Sequence, residues 1–211
     1  MIRRVLHVSA CVAVLTSTLA ACAGLSASGK TSDGIYRIPY GDGTHIRVSN
    51  DHRTHNPPNR LDIIGLGAPP YRIVAAAGGV VRYIVDEFDT RQDSKTARQC
   101  NNNYVWLEHP NGEWTKYSHL RQHSARRGAK LNVGDTVPAG AYLGDEGDVG
   151  CATRSHLHFE VAVPRDRDDP IALSGGFIKG ENRVPRFCGV PGEVLVAGTS
   201  YRAENCVNPS R

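Results

Sequence analysis

Read for its hydrophobic and polar positions, this chain is mostly extended: short apolar runs and period-two alternation recur between clusters of turn residues. Thr44 to Ser49 alternates weakly, while Arg72 to Ala77 and Val80 to Val85 are apolar, β-branched runs separated by Gly78-Gly79, a turn signal. Tyr104 to His109 and Glu113 to Leu120 flank Pro110-Asn111-Gly112 and predict a hairpin, because Asn-Gly adopts the positive φ that a tight turn needs. Asp86 to Gln99 is a polar, charged loop ending at Cys100. Val133-Gly134-Asp135 and Pro138-Ala139-Gly140 mark further turns, and a Gly- and Asp-rich loop, Asp145 to Cys151, leads into His156 to Val163. No segment sustains a helical period, although Ser118 to Arg127 has room for a turn or two. The pattern predicts a mainly β fold with little helix.

The one long apolar stretch stands at the start. Arg3 and Arg4 precede Val5 to Ala21, which is short and interrupted by Ser9, Thr16, Ser17 and Thr18, so residues 1–21 are expected to be a signal peptide rather than a membrane span. Leu19-Ala20-Ala21-Cys22 resembles a bacterial lipobox, in which Cys22 is lipidated and becomes the mature N-terminus. Ordinary cleavage after Ala23 is the competing reading; either one exports the protein to the periplasm or cell envelope. Residues 22–34 are expected to be a polar tether, 35–165 the main domain, and 166–211, with its Pro, Gly and two cysteines, a disulfide-pinned extension. The formal charge of +4 falls to +2 once Arg3 and Arg4 leave with the leader, too small a surplus for a nucleic-acid partner. Cys100, Cys151, Cys188 and Cys206 remain, an even set that in an exported protein implies two disulfides with three possible connectivities.

The sharpest chemical feature is Ser155-His156-Leu157-His158-Phe159-Glu160-Val161. In a strand, residues i and i+2 share a face, so His156, His158 and Glu160 point one way and Leu157, Phe159 and Val161 the other, into a core. Two imidazoles side by side suit metal binding, with one ligating and the other handling protons, though plain surface strands carry His-x-His too. Asp62 opens an apolar run downstream of His52 and His55; one of these histidines and the aspartate could converge on an ion, against the competing reading of a solvated polar loop. His119, in Tyr117-Ser118-His119-Leu120, is taken alone more often structural.

The ordered combination is more specific than its parts. Tyr-x-His-Leu, then Gly134-Asp135-Thr136-Val137, a Gly-rich loop and His-Leu-His-Phe-Glu resemble the M23 (lysostaphin-type) peptidase family, from about Ile38 to Val163. The resemblance implies an antiparallel, sandwich-like β domain that carries one Zn²⁺ per chain and hydrolyses peptide bonds in cell-wall peptidoglycan. By motif, His158 and Asp62 match the family's zinc ligands, and His119 and His156 its two non-ligating histidines. The family's common His-x-x-x-Asp spacing falls on Pro58, which cannot ligate. Thr54-His55-Asn56-Pro57-Pro58-Asn59-Arg60-Leu61-Asp62 is similar to a shortened form of a loop that sets this histidine further upstream, so His55 is expected as first ligand, with His52 in reserve. Cys188 and Cys206 lie close together beyond the last family strand, so a local Cys188–Cys206 bridge is expected, leaving Cys100–Cys151. Two other classes stay open: a degenerate member that binds peptidoglycan or activates another wall hydrolase, and a metal- or carbohydrate-binding β protein outside the family.

The lipobox generates a first test. Metabolic labelling with a clickable fatty acid should mark the wild type and leave Cys22→Ser unmarked; a labelled variant would refute lipid attachment at Cys22.

Overall fold

The computed structural model describes residues 29–93, 99–173 and 175–206, so the expected leader, Cys22 and the first part of the tether lie outside the described residues. Among the described residues the strands are β1 (Thr31–Tyr36), β2 (His45–Asn50), β3 (Arg60–Leu66), β4 (Arg72–Val74), β5 (Gly79–Val85), β6 (Tyr104–Glu108), β7 (Trp114–Ser118), β8 (Thr136–Val137), β9 (Tyr142–Asp145), β10 (Leu157–Pro164), β11 (Ile171–Leu173), β12 (Phe177–Ile178), β13 (Gly180–Phe187) and β14 (Ser200–Arg202). Among the described residues, helix is confined to a π-helical turn at Ser124–Gly128 and a 3-10 turn at Pro191–Glu193. The fold is mainly antiparallel β, as the period-two pattern predicts.

One large sheet runs in the order β14-β2-β3-β10-β7-β6-β5-β8, with β13 beside the far half of β10 and β1 parallel to β13. β10 sits at its centre because every second residue is large and apolar. Leu157, Phe159 and Val161 enter one core with Leu61 and Ile63 of β3, Val105 and Leu107 of β6, and Tyr117 of β7. Ile73 and Leu143, from the separate β4–β9 pair, close the same core from the other side. The other face of β10 carries His158 and Glu160, and further along Ala162 packs into a smaller core with Trp106 and Trp114.

At the Gly78-Gly79 turn signal the chain crosses between sheets, since β4 pairs with β9 and β5 with β6 and β8. Gly79 is needed there for close approach, since a Cβ on it would lie 2.5 Å from the Glu108 carbonyl oxygen. The expected tether becomes strand at Thr31. Buried Glu113 pins it, accepting hydrogen bonds from the Asp33 N–H (2.8 Å), the Gly34 N–H (2.9 Å) and the Tyr36 hydroxyl (2.7 Å). Polar composition hid this strand, whose Ser32 and Tyr36 are buried. Within the expected extension, β13 and β14 join the main sheet. Disulfides bond Cys100 to Cys151 (Cα–Cα 5.2 Å) and Cys188 to Cys206 (5.9 Å).

Because Phe159 is fully buried at the centre of the sheet, Phe159→Ala should destabilise the protein by about 3–5 kcal/mol. Truncating exposed Val133 to Ala should stay within about 0.5 kcal/mol. Denaturant unfolding measures both.

Candidate metal centre

Register places the candidate residues. On β10, His158 lies opposite Asp62 of β3 on one side and Ser118 of β7 on the other, and Glu160 lies opposite Arg60 and Lys116. Two cross-strand rows thus stand on the polar face: Asp62–His158–Ser118, and behind it Arg60–Glu160–Lys116. His119 follows directly on β7, and His156 immediately precedes β10, bridged to Gly147.

His55 comes from the loop after β2. That loop is organised by buried Asp51, which accepts the N–H groups of Arg53 (2.9 Å), Thr54 (3.0 Å) and Ala197 (3.0 Å). Burial favours the neutral acid, but these bonds outweigh it and hold the carboxyl at about 2. The loop closes with Asn59 N–H donating to the His52 carbonyl (2.8 Å). His55 reaches the row; His52 is not among the gathered ligand atoms.

The gathered atoms form a nearly equilateral triangle. His55 Nε2 to His158 Nδ1 is 3.2 Å, His158 Nδ1 to Asp62 Oδ1 is 3.2 Å, and His55 Nε2 to Asp62 Oδ1 is 3.4 Å. Ligands about 2.0–2.1 Å from a tetrahedral zinc ion stand about 3.3–3.4 Å apart, so this donor set fits zinc in spacing as well as in kind. His156 Nε2 stands 3.4 Å from the same carboxylate oxygen, and the His119 ring lies 4.6 Å from the His156 ring.

Each histidine spends one ring N–H outward. His55 Nδ1 donates to the Pro57 carbonyl (2.7 Å), His119 Nδ1 to the Val149 carbonyl (2.7 Å), His156 Nδ1 to the Arg154 carbonyl (2.8 Å) and His158 Nε2 to the Glu160 carboxylate (2.9 Å). In the neutral rings the other nitrogen therefore turns a lone pair inward. Four lone pairs and a carboxylate face one another. Burial disfavours charge on Asp62, yet contacts from His156, His158 and His55 hold its carboxyl well below the usual range. Burial likewise opposes protonation of His55 and His156, but Asp62 pushes both up. His119 differs: burial, with His156 and His158 close by, holds it well below its ordinary value and so neutral.

Several partners escape sequence reading because they depend on register or loop path. Asn50 Nδ2 donates to Asp62 Oδ2 (2.8 Å) and fixes the carboxylate. Fully buried Lys116 stands 3.4 Å from Glu160 Oε1, and Arg60 Nε 3.1 Å from Oε2. A cavity of about 500 Å³ opens over the centre, bounded by Thr54 and Pro57 on one side and by Cys100, Cys151 and Phe177 on the other.

Comparison with known proteins follows the same lines. Residues 63–171 match the model of peptidase family M23, beginning one residue after Asp62. The chain is 34% identical over 71 residues to the peptidoglycan DD-endopeptidase ShyC of Vibrio cholerae, a match covering 34% of this chain and 15% of that protein. A peptidase M23 structure from Pseudomonas aeruginosa is 25% identical, with a TM-score of 0.42 over 64% of this chain and 48% of that one. Lysostaphin from Staphylococcus simulans is 20% identical, with a TM-score of 0.40 over 56% of this chain and 42% of that one. The chain thus spans under half the length of each of these three. The family match takes in more than half of the chain, including the β6–β7 hairpin and the whole of β10, and this protein belongs to peptidase family M23.

Proposed function

We propose that this protein is an exported zinc metalloendopeptidase that hydrolyses peptide bonds in bacterial cell-wall peptidoglycan. The observation that carries the reading is the convergence of inward imidazole nitrogens on one carboxylate, with three donor atoms 3.2–3.4 Å apart. His55, Asp62 and His158 would hold the zinc, one ion per chain. When bound, the metal supplies Lewis-acid polarisation of a scissile carbonyl and makes water a usable nucleophile at neutral pH.

The remaining groups position and move protons. Glu160 fixes the tautomer of His158, and Asn50 orients Asp62. His119, whose Nδ1–H is held by the Val149 carbonyl, turns the Nε2 lone pair inward, where it can accept a proton from the attacking water. His156, when protonated at both ring nitrogens, would donate from Nε2 to the oxygen on which negative charge develops. The cavity is open enough to admit an extended peptide, and its Cys100–Cys151 wall keeps one side rigid. Two disulfides suit an oxidising compartment, in line with the leader at residues 1–21 and the lipid anchor at Cys22 that the sequence implies. The relation to ShyC supports peptidoglycan as the substrate class.

Metal content by mass spectrometry separates ligands from proton-handling groups. His55→Ala, Asp62→Ala and His158→Ala should each lose zinc and activity together, since two protein ligands hold the ion poorly. His119→Ala and His156→Ala should keep one zinc while kcat falls about 10²–10⁴-fold. His52→Ala should change neither; a His52→Ala protein without zinc beside a fully loaded His55→Ala protein would reassign the first ligand.

Digestion of purified peptidoglycan tests the activity itself. Mass analysis should find cleaved peptide bonds and intact glycan linkages, with the products abolished by a chelator and restored by added zinc. Release of sugars alone, or no release from zinc-loaded protein, would refute the proposed reaction.

A further inference from the structure

His119 is held in a conformation that needs an explanation. Its φ is +65°, in the left-handed region that a side-chain-bearing residue occupies only when its surroundings hold it there. Two bonds do so. Its backbone N–H donates to Asn102 Oδ1 (3.1 Å), and its ring Nδ1 donates to the Val149 carbonyl (2.7 Å). Asn102 follows Cys100 by two residues, Val149 precedes Cys151 by two, and these cysteines are bonded to each other. Between them the loops touch directly: a Cβ on Gly150 would lie 3.0 Å from both Cα and Cβ of Asn102. One covalent bridge therefore joins the two loops that aim His119, one through its backbone and the other through its ring.

We propose that Asn102, locked in place by the Cys100–Cys151 bridge, is a positioning residue for His119. The proposal rests on the reading of His119 as a proton-handling group. The Asn102 bond fixes the backbone twist from which the ring departs, and the Val149 bond fixes ring angle and tautomer, leaving Nε2 over the centre. Other bonds between the loops remain when the bridge is absent, among them Gln92 N–H to the Gly150 carbonyl (2.7 Å) and Gly150 N–H to the Thr90 carbonyl (3.0 Å). Losing the bridge should thus loosen the aim of His119 rather than unfold the site. Misplacement of a catalytic group by about 1 Å costs up to about 10²-fold in rate. A partial loosening should cost about tenfold, short of deleting the group.

The test uses the whole mature chain and four variants: Asn102→Ala, the double variant Cys100→Ala/Cys151→Ala, His119→Ala, and Cys188→Ala/Cys206→Ala as a control. Asn102→Ala and the Cys100/Cys151 variant should each lower kcat about tenfold on peptidoglycan peptides, with zinc content unchanged. The control pair should keep wild-type kcat. Combined with His119→Ala, Asn102→Ala should cost nothing further, because it acts through that ring. Wild-type kcat in Asn102→Ala, or a full tenfold loss on top of His119→Ala, would overturn the proposal. Wild-type kcat in His119→Ala itself would instead overturn the assigned role of His119. Histidine-selective ¹⁵N NMR supplies a readout independent of activity. The Nδ1–H signature of His119 should broaden or average in both variants while those of His55 and His158 stay. Unchanged His119 signals in Asn102→Ala would sink the idea even if the Cys100/Cys151 variant fails to fold.

Discussion

The period of two along β10 is the constraint on which the rest of the molecule hangs. Leu157, Phe159 and Val161 are fully buried in the core, so His158 and Glu160 have no choice of face. A slip of one residue would turn both into the core and expose the aromatic ring. The same register sets β3 and β7 on either side, which puts Asp62 beside His158 and Lys116 beside Glu160. Hydrophobic burial thus fixes the position of the polar centre, although no apolar side chain takes part in its chemistry.

Behind that centre the second row accounts for a feature that would otherwise be costly. Glu160 and Lys116 are both fully buried, and a buried charge needs a partner and hydrogen bonds to remain charged. Burial pushes the Glu160 carboxyl up, but Lys116, His158 and Arg60 outweigh it, and Asn182 Nδ2 donates to its second oxygen (2.7 Å). Burial pushes Lys116 down, against the pull of Glu160; its ammonium donates to the Gly175 carbonyl (2.8 Å) and lies 4.3 Å from the centre of the Phe177 ring. An apolar row would pack as well and cost less. The ionised row supplies what an apolar one could not: a carboxylate that accepts the outer N–H of His158 and leaves its Nδ1 turned toward Asp62 and His55.

Sequence shows those parts that obey a local period. The hairpin around Asn111-Gly112, the strand of His158 and the facing of its side chains follow from alternation and turn chemistry, and the ordered motifs point to family M23. What escaped depends on contacts far apart in the chain. Thr31, Ser32 and Asp33 read as tether because they are polar; pairing with β13 and hydrogen bonds to buried Glu113, both far downstream, make them strand. Asn102 has no motif around it; its importance comes from a left-handed residue and a disulfide that meet it in space. Gly78-Gly79 signals a turn, but which strand β4 pairs with is settled by β9, far along the chain.

The placement of His55 shows how far such long-range contacts reach. Its loop and the C-terminal tail both lie outside the span of the family match, and they are bound to each other. Ala197 N–H donates to Asp51 Oδ2 (3.0 Å), Val48 N–H to the Thr199 carbonyl (3.0 Å) and Gly198 N–H to the Val48 carbonyl (2.8 Å). Asp51 in turn organises the turn from which His55 extends. His55 stands seven residues before Asp62 in the chain, and the loop between β2 and β3 has to be ordered, at a cost in entropy, for the two to meet. The tail offsets that cost by adding β14 to β2 and holding the loop at its base. The loop that carries His55 and the tail woven into the sheet are therefore ordered together: Asp51 shapes the turn, and the Ala197 N–H and β14 hold its base.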